Sequence, residues 1–154
     1  MDAGTGQARM ALVTSYDATT GTAKVKLQPE GIQTGWLPVL SPWIGAGWGM
    51  IASLAVGDQV FVEPQEGDAE HGVITGRCWS DQQLPPGIAD GEIMLRHQSG
   101  SYIKLQADGT VQITGDLHVT GAIYATGDVT AKAGASQVRL STHNHGGAAP
   151  TPGR

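Results

Sequence analysis

From residue 93 onward the apolar side chains fall on every second position. Ile93 and Leu95 begin the series, Ile103, Leu105, Ala107, Val111 and Ile113 extend it, and Leu117, Val119, Ile123, Ala125, Val129 and Ala131 carry it on. Between 112 and 132 the intervening positions are mostly polar: Gln112, Thr114, Asp116, His118, Thr120, Thr126, Asp128, Thr130 and Lys132, with Ala122 and Tyr124 as exceptions. Alternation with period 2 over roughly forty residues is a strand signal far longer than the 5–6 residues of an average strand. A second period lies on top of it. Thr114-Gly115, Thr120-Gly121 and Thr126-Gly127 recur every six residues, as do Leu117, Ile123 and Val129. An even repeat keeps each apolar residue on the same face, and the glycine permits a bend in each repeat.

One chain folded in this way exposes a long apolar strip and open strand edges, an aggregation hazard. Copies wound about a common axis bury the strip and pair the edges, and three short-stranded walls enclose a dry core. At about 4.8 Å per stacked strand, roughly eight hexads give a rod on the order of 40 Å long. The predicted trimer core is Ile93, Leu95, Ile103, Leu105, Val111, Ile113, Leu117, Val119, Ile123 and Val129. A single-chain left-handed β-helix needs several coils of three hexads each, more than the sequence contains, and the calcium-binding nonapeptide repeat has the wrong period. The intertwined trimer is the better fit.

The first half follows a different grammar. Apolar-rich stretches at 8–16, 22–28, 36–40, 59–63 and 72–79 are separated by turn clusters at 17–21, Val56-Gly57-Asp58 and Glu66-Gly67-Asp68. Over 22–28, Ala23, Val25 and Leu27 share one face, and Thr22, Lys24, Lys26 and Gln28 the other. No stretch has the capped 3.6-residue pattern of an amphipathic helix. About five strands in about 75 residues predict a small closed or sandwiched β domain of the OB-fold kind. The chain therefore reads as all-β: an N-terminal arm and OB-fold domain (1–80), a linker around Pro85-Pro86-Gly87 (81–91), a trimeric β-helix rod (92–140), and a tip with a C-terminal tail (141–154).

Composition supports an assembly more than a single round core. Charged residues make up 15% of the 154 positions, and there are 23 glycines, against about 25% charge and about 7% glycine in a typical domain. The net charge of −5 argues against a protein that grips a phosphate backbone with excess Lys and Arg. No apolar run approaches membrane-span length, and the amino terminus lacks a basic-then-apolar signal, so a soluble, unsecreted chain is expected. The lone Cys78 excludes an intramolecular disulfide framework and is expected to be a buried thiol beside Trp79.

Candidate chemistry concentrates at the carboxy end. Val138 and Leu140 continue an alternation whose register slips by one after Gly134, and Ser141-Thr142-His143-Asn144-His145-Gly146-Gly147 follows. In an extended strand the imidazoles of His143 and His145 point to one side. Two ligands are too few for a closed zinc site. Three chains on a threefold axis offer six nitrogens, the number an octahedral transition metal takes. His118 reads as a solvated face residue, His97 as structural, and His71 as a loop residue.

The order of these modules resembles one family, the baseplate assembly protein V group of central spikes in contractile-tailed phages, related to phage and type VI secretion cell-puncturing spikes. The likeness rests on Lys24-Val25-Lys26, Trp36-Leu37-Pro38-Val39, Val56-Gly57-Asp58-Gln59-Val60, Glu66-Gly67-Asp68 leading to Gly72-Val73-Ile74-Thr75-Gly76, the hexad rod, and the terminal Thr142-His143-Asn144-His145-Gly146. The resemblance implies a homotrimer attached to tail hub or tube proteins through its OB domains. It implies one iron ion per trimer, held at the tip by His143 and His145 of each chain, with other ions in the rod of some members. It also implies a place in the virion tail baseplate, assembly in the host cytoplasm, and passage through the host outer membrane on sheath contraction. Some relatives carry a lysozyme domain between OB domain and rod; only 80–91 lies there in this chain, so no such activity is expected.

Two other classes compete. OB folds bind single-stranded nucleic acid by stacking bases on aromatic side chains, and Trp43 and Trp48 could serve. The acidic charge and lack of a basic stripe count against nucleic acid as a partner, and docking on the tail hub or a neighbouring subunit is the expected role of that loop. A trimeric receptor-binding adhesin would display a broad head, and this rod ends in a few histidines and a short tail. No enzyme is expected: Glu63, Glu66, Asp68, Glu70 and His71 read as a solvated hairpin. Gly45-Ala46-Gly47-Trp48-Gly49 lacks the Lys-Ser/Thr ending of a phosphate loop.

Overall fold

Asp17 ends the first strand by turning the chain. Its carboxylate accepts hydrogen bonds from the Thr19 amide (2.9 Å) and the Thr20 hydroxyl (2.8 Å). Gly21 follows with φ of 66°, and its amide returns to the Asp17 carbonyl. These bonds, the Thr20 hydroxyl foremost, hold the Asp17 carboxyl below its ordinary range. The turn joins β1(Arg9–Asp17) to β2(Thr22–Leu27) as an antiparallel hairpin. The computed structural model describes residues 7–65, 68–133 and 136–142, and the chain divides into two compact units, 1–87 and 88–154.

The first unit adds β3(Leu37–Pro38), β4(Ile44–Gly45), β5(Trp48–Gly49), β6(Gln59–Gln65) and β7(Asp68–Arg77). Five of these form one sheet in the order β3-β2-β1-β6-β7. The register shift between Val13 and Ser15 makes Thr14 a bulge, and such bulges sharpen twist. β1 pairs with β2 on one side and β6 on the other. A parallel bridge from Val39 to Ile74 and a 2.8 Å hydrogen bond from the Leu40 amide to the Ile74 carbonyl join the two ends of the sheet. The barrel this closes is the OB-like domain.

Its interior is the alternate-residue set that the pattern predicts. Ala23, Val25 and Leu27 are buried, and they meet Ala11, Val13, Val60, Val62, Leu37, Leu54 and Ile74. Thr34 is buried among them with its polarity satisfied: its hydroxyl accepts from the Val25 amide and donates to the Gly35 carbonyl. The predicted strand at 36–40 shortens to two residues, since Pro38 has no amide to give a ladder. The last strand starts earlier than 72, at Asp68. Cys78 is half-buried where an enclosed thiol was expected.

The second unit contains β8(Ile93–Arg96), β9(Tyr102–Leu105), β10(Val111–Thr114), β11(Thr130–Ala133) and β12(Ser136–Arg139), then a single 3-10 turn, Leu140–Thr142. The described chain is thus all-β apart from that turn. The period-2 series is not one strand run. It is folded at 97–101 and 106–110 into a three-stranded antiparallel sheet, β10-β9-β8, and Ala107 lies in the second turn instead of on the strip.

Candidate functional site

The two turns of the second unit are the same device used twice. In the first, the His97 amide bonds to the Ser101 carbonyl and the Gly100 amide to the His97 carbonyl; in the second, Gln106, Thr110 and Gly109 make the same pair of bonds. Gly100 has φ of 97° and Gly109 of 85°. A type I turn closed by a left-handed glycine is the common three-residue hairpin loop. Asp108 braces the second turn by accepting from the Thr110 amide (2.9 Å) and hydroxyl (2.7 Å), which holds its carboxyl below the usual range. In the first turn, the Nδ1 of His97 accepts from the Ser99 amide at 3.2 Å and lies 2.8 Å from the Ser99 hydroxyl.

This doubled hairpin sets the register. Ile93 pairs with Leu105 and Leu95 with Ile103; Val111 pairs with Leu105 and Ile113 with Ile103. Directly opposed residues share a face, so all six apolar side chains lie together. They are open to solvent, from 46% exposed at Leu105 and Ile113 to 68% at Leu95. On the other face Met94, Tyr102 and Lys104 are half-buried, and Arg96, Gln112 and Thr114 are exposed. The Lys104 ammonium there sits 2.6 Å from the Glu92 carboxylate, with both side chains largely withdrawn from solvent. Lys104, and then the Ala89 amide, hold the Glu92 carboxyl below its ordinary range. The sheet thus leaves its apolar face outward, the reverse of a self-sufficient domain.

Beyond β10 the chain leaves the sheet. Residues 115–129 belong to no strand or bridge, and Leu117, Val119, Ile123 and Val129 are all exposed. The ladder resumes in the β11–β12 hairpin, where Ala133 faces Ser136 and Ala131 faces Val138. Partners across a two-residue connection differ in parity, which accounts for the one-residue slip of the alternation. Past β12, the Leu140 amide bonds to the Val129 carbonyl at 2.9 Å. Asp128 then accepts both the amide (3.1 Å) and the hydroxyl (2.7 Å) of Ser141. That latch, the hydroxyl foremost, keeps the Asp128 carboxyl below its ordinary range. His143 and His145 lie outside the described residues, as do Glu66 and the tail. Among the described residues, no three His, Cys, Asp or Glu side chains converge as metal ligands. His97, His118 and His71 are exposed and well separated in sequence.

The first unit has its own apolar projection. From Gly31 to Gly57 no residue is charged. The β4–β5 hairpin within this stretch packs Trp43 edge-on against Trp48, with ring centroids 5.2 Å apart. A Cβ at Gly45 would overlap the Trp48 indole. Ser41 ties the base by donating to the Met50 carbonyl at 2.7 Å. Arg77 fastens the irregular segment that follows, donating to the Ser53 carbonyl and pairing with Asp58 at 3.2 Å. The result is a braced hairpin within the loop that the sequence reading assigned to docking.

Residues 9–79 match the profile of the family described as the type VI secretion system/phage-baseplate injector OB domain. Similar proteins include the type VI secretion system spike protein VgrG2a of Pseudomonas aeruginosa, 31% identical over 74 residues, which are 47% of this chain and 9% of that protein. VgrG2b of the same organism is likewise 31% identical over 74 residues, 47% of this chain and 7% of its own length. Over these residues the chain is similar to the phage-baseplate and type VI secretion spikes. A third spike protein, VgrG1c, is 37% identical over 51 residues, 33% of this chain and 7% of that protein. The chain accordingly spans less than a tenth of the length of these curated relatives.

The matched residues hold the barrel of β1, β2, β3, β6 and β7 together with the β4–β5 hairpin, so the profile match lies within the first unit. Sequence reasoning located that domain and the apolar strip. It missed the two hairpin turns, although Ser99-Gly100 and Asp108-Gly109 are the turn dipeptides that announce them. It also missed the Asp128–Ser141 latch and the Arg77 brace, since neither leaves a periodic trace.

Proposed function

We propose that the chain is a structural, non-catalytic membrane-piercing spike at the end of a contractile phage tail tube. Its injector OB domains (1–80) attach to tail hub or tube proteins. Its second units trimerise into a β-helical rod (92–140), and the tip (141–154) meets the host outer membrane when the sheath contracts. One observation carries this reading: a continuous apolar sheet face, Ile93, Leu95, Ile103, Leu105, Val111 and Ile113, stands uncovered in the single chain, in a chain whose residues 9–79 match the injector OB domain. Complete burial of an aliphatic side chain contributes about 1.5–3 kcal/mol. Six such residues, each about half exposed, contribute roughly 5–10 kcal/mol per chain on association.

A needle has to resist axial load, and a rod with every strand edge paired has no place to unzip. Its ends are the weak points, because terminal strands fray. His143 and His145 of each chain are the residues that would hold an iron ion at the tip. Their two imidazoles per chain supply six nitrogen donors in a trimer, which suits an octahedral ion. Such an ion would cross-link three chain ends. The braced Trp43–Trp48 hairpin, uncharged and apolar, suits docking on a protein surface of the tail.

Light scattering on the purified chain tests the reading. The expected mass is three times that of the chain, and Ile103→Asp, which puts a charge on the shared face, is expected to abolish the trimer while leaving the OB barrel folded. A wild-type monomer would overturn the rod, and the spike with it.

A further inference from the structure

The two turns of the second unit close alike, yet the residues that bracket them face opposite ways. Gln106 and Thr110 bracket the second turn one position beyond the Leu105–Val111 pair, so they lie on the face away from the apolar strip. His97 and Ser101 bracket the first turn two positions beyond the Leu95–Ile103 pair. Side chains two apart on a strand share a face, so these two polar residues continue the strip itself. Gly115 completes the row, because a Cβ there would come within 3.2 Å of the Ser101 side chain. The strip thus runs in rows, Ile93–Leu105–Val111 and Leu95–Ile103–Ile113, and ends in His97–Ser101–Gly115. A cavity of about 480 Å³ opens at that end, lined by Leu95, Ile103, Ile113 and Leu117 together with His97 and Ser101.

Hydrogen bonds in the turn fix where the imidazole proton sits. An amide only donates, so the Ser99 amide, 3.2 Å from Nδ1 of His97, meets a bare nitrogen there. The Ser99 hydroxyl, 2.8 Å from Nδ1, then donates to it as well and accepts from the Ser101 hydroxyl at 3.1 Å. The neutral ring therefore carries its proton on Nε2, and this N–H has no acceptor among the described residues. We propose that His97 of the three chains forms an anion site on the axis of the rod, holding one halide ion by three Nε2–H donors. The inference rests on the trimer proposed above, since a single chain supplies one donor. Burying the strip draws His97 inward with it, and an enclosed N–H needs an acceptor. Three equivalent donors about a threefold axis share one acceptor best when it is spherical. A metal ion would need a bare Nε2, which moves the proton to Nδ1 and against the Ser99 amide. Gly115 gives the row no third side chain, so the cavity keeps room for the ion. Arg96 and Asp116 also line the cavity, and their opposite charges offset, leaving the N–H groups to select an anion.

Bromide is the probe. The full chain, labelled with 15N at histidine, is prepared in gluconate, its mass is checked by light scattering, and bromide replaces gluconate at constant ionic strength. The expected result is a saturable shift of the His97 Nε2 resonance, with the proton on Nε2 throughout, and a rise in the melting temperature of the trimer as bromide binds the folded state. His97→Phe assigns the resonance and is expected to keep the trimer mass and lose the response of the melting temperature. Ser99→Ala, which removes the hydroxyl partner of Nδ1, assigns it independently if the phenylalanine variant does not assemble. A trimer whose His97 Nε2 ignores bromide would overturn the site and leave the rod standing, since a histidine that only braces its turn has no such response. A ring protonated at Nδ1 with Nε2 bare would overturn it too. A wild-type monomer would remove the rod, and the site with it.

Discussion

Ile74 shows how much one residue does in this fold. It is fully buried, and its backbone carries both the bridge to Val39 and the hydrogen bond from Leu40 that bring the ends of the first sheet together. Ile74→Ala leaves those backbone bonds possible and removes the side chain that fills the seam. Substitutions of this type cost about 2–5 kcal/mol, so the urea midpoint of the first unit is expected to fall by that equivalent; an unchanged midpoint would mean the seam is not a core. Asp128 acts through charge instead. Ser141 gives its carboxylate two hydrogen bonds, and the carboxyl pKa is lowered. A depressed folded-state value means the latch is present above the unfolded-state pKa and is lost as pH falls through the folded one. The Ser141 amide resonance is therefore expected to stay constant at neutral pH and to move only below the ordinary aspartate range. Asp128→Asn should shift it at every pH, and an Asp128 carboxyl titrating at or above the ordinary range would discard the latch.

At the scale of elements, one letter does different work in different places. Gly109 has φ of 85° with open space around it, so Gly109→Ala strains backbone and crowds nothing. It is expected to destabilise the β9–β10 hairpin by about 1 kcal/mol, seen as a lowered melting temperature of the second unit. Gly121 and Gly127 have neither a positive φ nor an atom of their own chain within 4 Å of a Cβ. An alanine there is expected to be tolerated by the chain itself, so any loss of melting temperature reads out a neighbouring copy. The sequence reader sees only Thr-Gly, Ser-Gly and Asp-Gly, and this is where legibility stops. The β1–β2 hairpin was readable because Ala23, Val25 and Leu27 alternate against a polar face and Asp17 to Gly21 spells a turn. The apolar strip was readable for the same reason. Whether that strip runs straight or folds back at Ser99-Gly100 and Asp108-Gly109 depends on backbone hydrogen bonds that leave no period. The Trp43–Trp48 hairpin was hidden similarly: its brace comes from Ser41 and from Arg77, the latter 25 positions beyond Ala52, whose carbonyl it also approaches.

For the whole molecule the decisive question is what would close the far end of the proposed rod. The proposed clamp is an ion held by His143 and His145 from each of three chains, just past the segment that Asp128 and Val129 tie down through Ser141 and Leu140. If the clamp only staples an end, the apolar face remains the source of association, and the two contributions separate. Metal analysis of the light-scattering peak is expected to return about one iron per trimer. His143→Ala combined with His145→Ala should abolish the iron and leave the trimer mass unchanged, with the thermal transition of the second unit lowered. Ile103→Asp should do the opposite in order of cause, dispersing the trimer and releasing the iron because a single chain brings only the two imidazoles of His143 and His145 to the clamp. Coordination requires neutral imidazole, so acid should release iron first, while the Asp128 latch, whose carboxyl titrates lower than usual, still holds. Iron retained by the double variant would move the metal away from these histidines, and a trimer that fell apart with them would make the ion, rather than the sheet face, the bond between chains.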